Sequence, residues 1–469
     1  MIAGGEQTYL AFDLGASSGR AILGWVGPDG LIRPQEVRRF PNGHVRRGDG
    51  LFWDLDGLFE MMLDSMRIVA GRGVRPRAIG VDTWGLDFAL LDEAGKLLAP
   101  PRSYRDPGNV GAGQQITEKI GAQRLQDRTG AMHQDHSSLC QYSVLARRQG
   151  ELLARAQRLL FIPDLLRYWL CGDESTDVTS ASASQMYDVP AREWADDILR
   201  ELDLRTDVLP EVHVGPTVVG TLGKDIRAKT GLGQIPVVAG AGHDTGAAFA
   251  TCLPFARGPV SSGQDLPDKD DLAVISSGTW SILGVFVDGH LPAGSLPPAQ
   301  FGYEANPDGS LRIVRNLAGG WLLEQCRQVW RQQGFDCAYE SLIAAGRAAA
   351  STDNASAIVD SQWEGFYNPT SMPQAMTEYC ERTGQPAPIT PGEFTQVIFA
   401  SLADSYAGSI QLLRERTGRA LSNLYMIGGM SRNEYLNELT ARRAGVRVIV
   451  GPAEAAAVGN VAVQMAAGC

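Results

Sequence analysis

The chain has 469 residues, of which 44% are hydrophobic and 20% are charged, and its formal net charge is −11. This length indicates about two to four domains with large cores. The acidic balance argues against a general nucleic-acid binder, which needs a basic face. No run approaches the ~18 apolar residues of a membrane span, and no signal peptide is evident. The seven scattered cysteines form no CxxC pair, which is typical of reduced thiols, so we expect a cytoplasmic protein.

The first predicted strands flank a turn rich in glycine and serine. Apolar runs at 9–12 and 21–25 are separated by DLGASSGR at 13–20. The glycines let the backbone bend sharply and approach an anion, while N–H groups and serine hydroxyls can donate to phosphate oxygens. A hairpin without any ligand has the same turn chemistry, so this turn alone does not decide the function. The chain contains no GxxxxGK[ST] string, which argues against a P-loop fold.

The region after this hairpin combines strands with a mostly helical block. Further strands are predicted at 31–40, 78–83 and 86–91, because these β-rich stretches are bounded by turn residues. A helical period at 54–70 places apolar side chains on one face. The region 111–170 is predicted to be mostly helical and to form an insertion in the first domain.

A buried strand predicted at 235–239 leads into the segment AGAGHDTG at 239–246. Its glycines loosely match the dinucleotide fingerprint of a dehydrogenase that binds NAD, but Asp244 would then place an anion inside the phosphate loop. Alternatively, Asp244 is a general base that accepts the proton of a substrate hydroxyl as the hydroxyl attacks a γ-phosphoryl group. A third interpretation makes Asp244 the N-cap of the helix that follows.

A second hairpin with similar chemistry is predicted past the middle of the chain. The segment SSGTW at 276–280 separates apolar runs at 272–275 and 281–286. An exposed loop is predicted before it at 254–271, where Pro, Gly, Ser and Asp are frequent. Two phosphate-binding turns suggest a nucleotide held between two halves of the protein.

The C-terminal part alternates helices and strands. Helices are predicted at 319–333, 339–349 and 391–417, strands at 424–427 and 446–450, and a last helix from Glu454. Alternation in both halves predicts an α/β protein with mixed sheets, and the similar hairpins suggest a duplicated architecture. We place the two domains at 1–240 and 241–469.

The residue types fit phosphoryl transfer. This reaction needs a carboxylate near the attacking alcohol, a metal ion on the phosphates and donors around them. Asp244 is the candidate base. Asp13, at the end of the first strand, is the candidate ligand of Mg²⁺, through water because Mg²⁺ keeps much of its hydration shell.

Seven segments together resemble a known family. They are DLGASSGR at 13–20, DTWGLDFALLD at 82–92, YRD at 104–106, HDT at 243–245, SSGTW at 276–280, RNLAGGWLLE at 315–324 and GPAEAAAVGN at 451–460. Over nearly its whole length the chain resembles carbohydrate kinases of the FGGY family, within the actin-like and heat-shock-like ATPase superfamily. The resemblance implies an α/β fold with two actin-like (ribonuclease H-like) ATPase domains, with mixed sheets, around a central cleft. It also implies ATP and Mg²⁺ as cofactors.

The resemblance implies a role for each matching residue. Asp244 is implied to be the catalytic base, and Asp13 to lie near the metal. The residues implied to contact ATP are Ala16, Ser17, Ser18, Gly19, Arg20, Thr279, Glu324, Gly428 and Gly429. The residues implied to hold the sugar are Gly85, His243, Asp244, Thr245 and Asn316. We add Trp84 and Asp87, because sugar pockets need hydroxyl partners and an apolar ring face.

Two positions depart from the pattern of the family. Glu324 stands where relatives usually have glutamine, and Met430 stands where many have a third glycine, so the affinity for the nucleotide is open. The implied reaction transfers a phosphoryl group from ATP to the 1-hydroxyl of L-rhamnulose. The alternatives are a kinase for L-fuculose or another ketose, and a non-catalytic sensor that binds sugar and ATP on the same fold. The sequence leaves the oligomeric state open.

Overall fold

A computed structural model describes residues 7–48, 50–130, 132, 134–256, 266–298, 300–367 and 369–469. The chain forms two compact units. The first consists of Met1–Leu266, Val287–Ile313 and Glu454–Cys469, and the second of Pro267–Phe286 and Val314–Ala453. The sequence predicted two domains that meet at residue 240. In the structure, two segments that come later in the chain, Val287–Ile313 and Glu454–Cys469, belong to the first unit.

The strands alternate with helices along both units. The strands are β1 (Thr8–Leu14), β2 (Ser18–Val26), β3 (Ile32–Pro41), β4 (His44–Arg47), β5 (Gly50–Trp53), β6 (Ile79–Thr83), β7 (Phe88–Leu91), β8 (Arg158–Phe161), β9 (Thr176–Asp177), β10 (Tyr187–Asp188), β11 (Glu193–Trp194), β12 (Val212–His213), β13 (Thr217–Thr221), β14 (Pro236–Ala239), β15 (Leu272–Ser277), β16 (Trp280–Val287), β17 (Gly302–Ala305), β18 (Leu311–Ala318), β19 (Asn423–Ile427) and β20 (Arg447–Val450). The strands predicted on either side of the two glycine-rich turns are confirmed as β1, β2, β15 and β16.

The helices include the predicted block after residue 111. They are α1 (Leu55–Gly71), α2 (Ala112–Ile120), α3 (Ala122–Thr129), α4 (Ser138–Arg148), α5 (Gly150–Ala154), α6 (Ile162–Cys171), α7 (Val178–Ala183), α8 (Asp196–Glu201), α9 (Lys224–Thr230), α10 (Asp244–Ala250), α11 (Trp321–Gln332), α12 (Tyr339–Ala349), α13 (Met372–Arg382), α14 (Pro391–Thr417), α15 (Glu434–Ala444) and α16 (Ala455–Ala466). Of the loop predicted at 254–271, residues 257–265 lie outside the described residues, and its two ends form the short 3-10 turns Pro254–Ala256 and Lys269–Asp271.

The sheet of the first unit has the strand order β13-β14-β6-β1-β2-β3. The hairpin β1–β2 is antiparallel, whereas β6 and β14 run parallel to β1. In this register Asp13 pairs with Asp82, and the carboxyl ends of β1, β6 and β14 meet at one edge. The fold thus brings together polar residues that follow three separate strands.

The sheet of the second unit repeats this plan. Strands β18, β16, β15, β19 and β20 follow one another, as β3, β2, β1, β6 and β14 do in the first unit. The hairpin β15–β16 is antiparallel, and β19 and β20 run parallel to β15. The duplicated architecture predicted from the two hairpins is confirmed at the level of strand order and direction.

Helices cover the first sheet and complete its core. Helix α1 begins after Asp54, whose carboxylate accepts the N–H of Gly57 at 3.2 Å. It buries Leu58, Met62 and Met66 against the sheet. Each such side chain contributes about 1.5–3 kcal/mol when it is fully removed from water. Among the described residues, no helix has the length and apolar character needed to cross a membrane.

Helix α16 packs closely against α10, the helix that begins at Asp244. A Cβ atom on Gly459 of α16 would lie 1.8 Å from the carbonyl oxygen of Ala247. Only glycine therefore allows the two helices their present distance. This contact fixes the start of α10 relative to the sheet.

We predict that Gly459→Ala destabilises the protein by about 3 kcal/mol, at the upper end of the usual cost of overpacking, because a backbone carbonyl has to move. Urea unfolding measures this loss. The matched control is Gly408→Ala in α14, where a Cβ atom meets nothing within 4 Å. That change should stabilise the protein by up to about 1 kcal/mol, since alanine favours the helix. Equal effects of the two substitutions would contradict the packing argument.

Candidate active site

The acidic residues of the site lie where parallel strands end. Asp13 and Asp82 are register partners on β1 and β6, so their side chains are neighbours on the same face of the sheet. The loop after β14 forms a parallel bridge between His243 and Thr83. Ligands of α/β proteins bind at such a carboxyl edge.

Asp82 is a buried carboxyl group beside other carboxyl groups. The amide nitrogen of Asn460 donates to its Oδ2 at 2.6 Å, and no described group donates to Oδ1. Burial raises the pKa of Asp82 well above its usual range, and Asp13 and Asp244 raise it further, although Asn460 acts in the opposite direction. The site therefore favours a proton or a cation near Asp82.

Arg20 is a cation placed at this edge by two ion pairs. Its Nη2 donates to Asp13 Oδ2 at 2.5 Å, and its Nη1 pairs with Glu454, the residue before α16. The guanidinium is thus held at the end of the first glycine-rich turn, where it can contact an anion.

The loop between β14 and α10 is fixed by backbone hydrogen bonds. Gly240 has a φ of 133°, which favours glycine. The N–H of Thr83 donates to Gly242 O at 2.8 Å, and the N–H of Gly242 donates to Asp177 Oδ2 at 2.9 Å. A pyrophosphate would need that N–H group, so the geometry disfavours the dinucleotide interpretation.

Asp244 is the first residue of α10, and His243 is the N-cap. The interpretation of Asp244 as a helix cap is therefore wrong. The side chain of Asp244 remains 35% exposed, with Oδ1 3.5 Å from His243 Nε2 and 3.3 Å from Thr245 Oγ1. The pKa of Asp244 is raised because the protein displaces water from it; His243 opposes this shift and Asp13 adds to it. Asp244 is thus an accessible carboxylate with increased basicity.

His243 lies between two carboxylates. Its Nδ1 is 3.7 Å from Glu304 Oε2, on the side of the ring away from Asp244. Burial opposes the ionisation of Glu304, but the guanidinium of Arg312 at 2.6 Å and His243 together outweigh it and lower the pKa of Glu304. A Cβ atom on Gly85 would lie 2.8 Å from the His243 ring, so glycine is needed beside the imidazole.

Trp84 and Asp87 belong to a buried aromatic cluster. The Nε1 atoms of Trp53 and Trp84 donate to Asp87 Oδ2 at 2.5 and 2.9 Å, and Gln141 donates to Asp87 Oδ1 at 2.9 Å. The two indole rings pack with their centroids 4.1 Å apart. Burial raises the pKa of Asp87 to about 7, against the effect of the three donors. Leu86, which lies between Trp84 and Asp87 in the chain, has a φ of 86°, a strained value for a non-glycine residue.

The first glycine-rich turn closes on itself. The N–H of Gly15 donates to Ser18 O at 3.0 Å, and the side chain of Asn42 donates to Gly15 O at 2.8 Å. Ser17 is exposed, and its neighbours Ala16 and Ser18 are half-buried. A Cβ atom on Gly19 would lie 2.3 Å from Phe40, so the turn packs tightly on β3. The turn thus offers an exposed tip on a rigid base.

A group of hydrogen-bonded hydroxyls supports the second glycine-rich turn. The hydroxyls of Ser277, Ser281 and Tyr406 hydrogen bond to one another at 2.6–3.2 Å. The N–H of Trp321, the first residue of α11, donates to Thr279 O at 3.2 Å. Gly428 has a φ of 85°, and a Cβ atom on it would lie 2.6 Å from Ser277 O. The structure therefore brings together the turn at Thr279, the start of α11 and the turn at Gly428.

Glu324 lies in the first turn of α11 and is paired with cations. Its carboxylate contacts Arg327 at 2.5 Å and Arg331 at 3.1 Å. These pairs offset the negative charge of the Glu324 carboxylate. Asn316 is half-buried on β18, and its carbonyl accepts the side-chain amide of Gln362 at 3.1 Å.

The acidic edge of the first unit fits a divalent cation. The charges of Asp13 and Asp244 both help to raise the pKa of the buried Asp82, and Oδ1 of Asp82 has no described donor. Among the described residues, no three His, Cys, Asp or Glu side chains come close enough to enclose a metal ion. This arrangement suits Mg²⁺, which binds few protein ligands and keeps its water.

Three of these residues were not predicted individually from the sequence. Asp82 and Asn460 stand inside segments that carry the family resemblance, yet their hydrogen bond joins positions 378 residues apart in the chain. Glu304 follows no motif, and only the fold places it beside His243. The signal available for Asp82 was its position at the end of a buried strand.

Comparisons with known proteins match both parts of the chain to one family. Residues 8–250 match the N-terminal domain, and residues 273–468 the C-terminal domain, of the FGGY family of carbohydrate kinases. The chain is similar to a rhamnulokinase of Bacteroides thetaiotaomicron, with 37% identity over 98% of this chain and 90% of the relative. It is also similar to a rhamnulokinase of Oceanobacillus iheyensis, with 31% identity over 98% of this chain and 93% of the relative.

Solved structures support the same fold. A xylulose kinase from Rhodospirillum rubrum superposes with a TM-score of 0.77 at 16% identity, covering 99% of this chain and 90% of that chain. A gluconate kinase from Lactobacillus acidophilus gives a TM-score of 0.76 at 14% identity, with the same coverage. The two matched domains and the relatives at 31–37% identity show that the chain belongs to the FGGY family of carbohydrate kinases.

Proposed function

We propose that this kinase transfers the γ-phosphoryl group of ATP to the 1-hydroxyl of L-rhamnulose, giving L-rhamnulose 1-phosphate and ADP. The observation that carries the proposal is Asp244, an accessible carboxylate of raised pKa at the carboxyl edge of the first sheet. The choice of sugar is supported by the relatives named rhamnulokinase, which are 30–37% identical over at least 97% of this chain.

In the proposed reaction, Asp244 accepts the proton of the 1-hydroxyl. The sugar oxygen forms a bond to the γ-phosphorus as the bond from that phosphorus to the bridging oxygen of ADP breaks. The raised pKa of Asp244 increases its strength as a base, while its partial exposure keeps it available to the sugar. His243, Thr245, Gly85 and Asn316 are proposed to contact sugar hydroxyls.

Residues of each glycine-rich turn are proposed to contact ATP. Arg20, held by Asp13 and Glu454, supplies positive charge near the first turn. The residues proposed to contact the nucleotide are Ala16, Ser17, Ser18, Gly19, Arg20, Thr279, Glu324, Gly428 and Gly429. Mg²⁺, when bound near Asp13, offsets the negative charge of the phosphates.

Trp84 and Asp87 are proposed to shape the sugar pocket. Both oxygens of Asp87 already accept hydrogen bonds, from two indoles and from Gln141. Asp87 is therefore suited to orient Trp84, whose ring would face the apolar side of the sugar. We place the reaction in the cytoplasm, a compartment that suits the seven free cysteines.

The function is tested by measuring ADP release with ATP and Mg²⁺ across L-rhamnulose, L-fuculose, L-ribulose, D-xylulose and glycerol, against a blank without sugar. We expect the highest kcat/KM for L-rhamnulose. Activity on a different ketose would keep the mechanism and reject the proposed substrate. Nucleotide binding without turnover of any sugar would indicate a sensor instead.

We predict that Asp244→Asn lowers kcat by about 10²–10⁴-fold, the usual contribution of a general base, because asparagine does not accept the proton. Binding of ATP, measured by calorimetry, should change little, since the prediction assigns no nucleotide contact to Asp244. Turnover at the wild-type rate in this variant would contradict the role of Asp244.

We predict that Asp87→Asn makes stability less dependent on pH. Because burial raises the pKa of Asp87 from 3.8 to about 7, this group favours the folded state below pH ~4 and loses that contribution as the pH rises through 7. The slope from one group is at most about 1.4 kcal/mol per pH unit.

Urea unfolding at pH 5, 6, 7 and 8 measures this slope for the wild type and the Asp87→Asn variant. The variant should lose less stability between pH 5 and 8. The exposed Asp225 provides the control Asp225→Asn, which should leave the slope unchanged. Parallel pH profiles for the wild type and the Asp87→Asn variant would show that Asp87 is ionised at all these pH values.

A further inference from the structure

Behind the loop that carries Asp244 lies a buried carboxylate outside the site described above. Asp177 precedes α7, and its Oδ1 accepts the N–H of Thr179 at 3.0 Å. Its Oδ2 faces the other way and accepts the N–H of Gly242 at 2.9 Å. One side chain therefore joins the start of α7 to the loop after β14.

Thr179 makes the second connection. Its hydroxyl donates to Asp177 Oδ1 and accepts the N–H of His243 at 3.1 Å. The two successive N–H groups that precede Asp244 are thus both bound by side chains of this segment. Asp177 and Thr179 are fully buried, so water does not compete for these hydrogen bonds.

The packing on both sides of Asp244 agrees with these hydrogen bonds. A Cβ atom on Gly242 would lie 2.6 Å from Asp177 Oδ2, and one on Gly246 would lie 2.8 Å from Thr179 Cβ. The loop and the start of α10 therefore lie directly against residues 177–180. Glycine at these positions is a requirement of close approach.

A buried arginine holds Asp177 in place. Arg167 on α6 donates to Asp177 Oδ2 at 3.2 Å, to Asp164 Oδ1 at 2.8 Å and to Ser175 O at 3.1 Å. Arg167, Asp164 and Asp177 are fully buried. Three hydrogen bonds from one planar guanidinium restrict the orientation of Asp177, and through it the loop.

We propose that Asp177 and Thr179 are positioning residues for the phosphoryl transfer, because they fix the backbone of Gly242 and His243 and so aim the Asp244 carboxylate and the His243 ring. The inference rests on the proposed function of Asp244 as the base. A glycine-rich loop has high conformational freedom, and a displacement of about 1 Å in a catalytic group can lower the rate by about 10²-fold.

The test compares Thr179→Val with Thr129→Val. Valine has the shape of threonine but neither donates to Asp177 nor accepts from His243. Thr129 is the matched control, because it is also buried and, among the described residues, its hydroxyl donates to a carbonyl of its own helix, that of Leu125, at 2.8 Å. Thr179→Ser keeps the hydroxyl and serves as the rescue variant.

We expect Thr179→Val to lower kcat by about 10–100-fold, with the KM for ATP within about threefold of wild type. Thr129→Val and Thr179→Ser should stay within about threefold of the wild-type kcat. Hydrogen exchange of the peptide that contains residues 240–246 should be faster in Thr179→Val than in Thr129→Val. Together these results would support the proposal, because a general loss of stability would affect both valine variants.

Two results would overturn the proposal. One is an equal kcat for Thr179→Val and Thr129→Val while Asp244→Asn is inactive. This result would reject the positioning role and leave the proposed function intact. The other applies if Thr179→Val does not fold, and it is a wild-type kcat in the Asp177→Asn variant. This substitution replaces a hydrogen-bond acceptor by a donor at nearly constant shape. If Asp244→Asn itself retains turnover, the proposed function fails, whatever the effect of the substitutions at Asp177 and Thr179.

Discussion

The first unit depends on two carboxylates held side by side on neighbouring parallel strands. Asp13 and Asp82 pair in register, and burial prevents water from screening them from each other. Such a pair is costly unless a proton, a cation or hydrogen-bond donors compensate it. The structure supplies Arg20 next to Asp13 and the Asn460 amide next to Asp82. Burial, with a smaller contribution from Asp13, raises the pKa of Asp244. The negative edge gives the site its affinity for positive charge.

The same strand order serves different chemistry in the two units. In the first, the edge of the sheet carries carboxylates, an arginine and a histidine. In the second, the turn of the equivalent hairpin carries Ser276, Ser277, Gly278 and Thr279, and it packs against Tyr406 and the start of α11. One architecture therefore carries an acidic edge in one copy and a turn rich in glycine and hydroxyl groups in the other, which agrees with the view that function resides in sites placed on a fold.

Much of the fold was predictable, and Asp244 could be chosen as the candidate base, because the signals for both are local. Apolar runs on either side of a glycine-rich turn predicted both hairpins, and Asp244 followed from its place after a buried strand. Local sequence carried no signal for the distant partners of a side chain. The two oxygens of Asp87, a residue predicted for the sugar pocket, accept hydrogen bonds from two indoles and an amide. Nothing in the spacing of residues indicated that Trp53 would be one of those partners.

The sequence by itself determined the α/β class, the two turns, the candidate base and the family, because these depend on residue types within short segments. Only the tertiary structure decided which groups meet at the edge of the sheet. Strand order and register place Asp82 beside Asp13, and Asp177 beneath Gly242. The tertiary structure also places residues 287–313 and 454–469 in the first unit. This placement brings Glu304 to His243 and Asn460 to Asp82. Such contacts arise from packing between distant segments, and local sequence does not encode them.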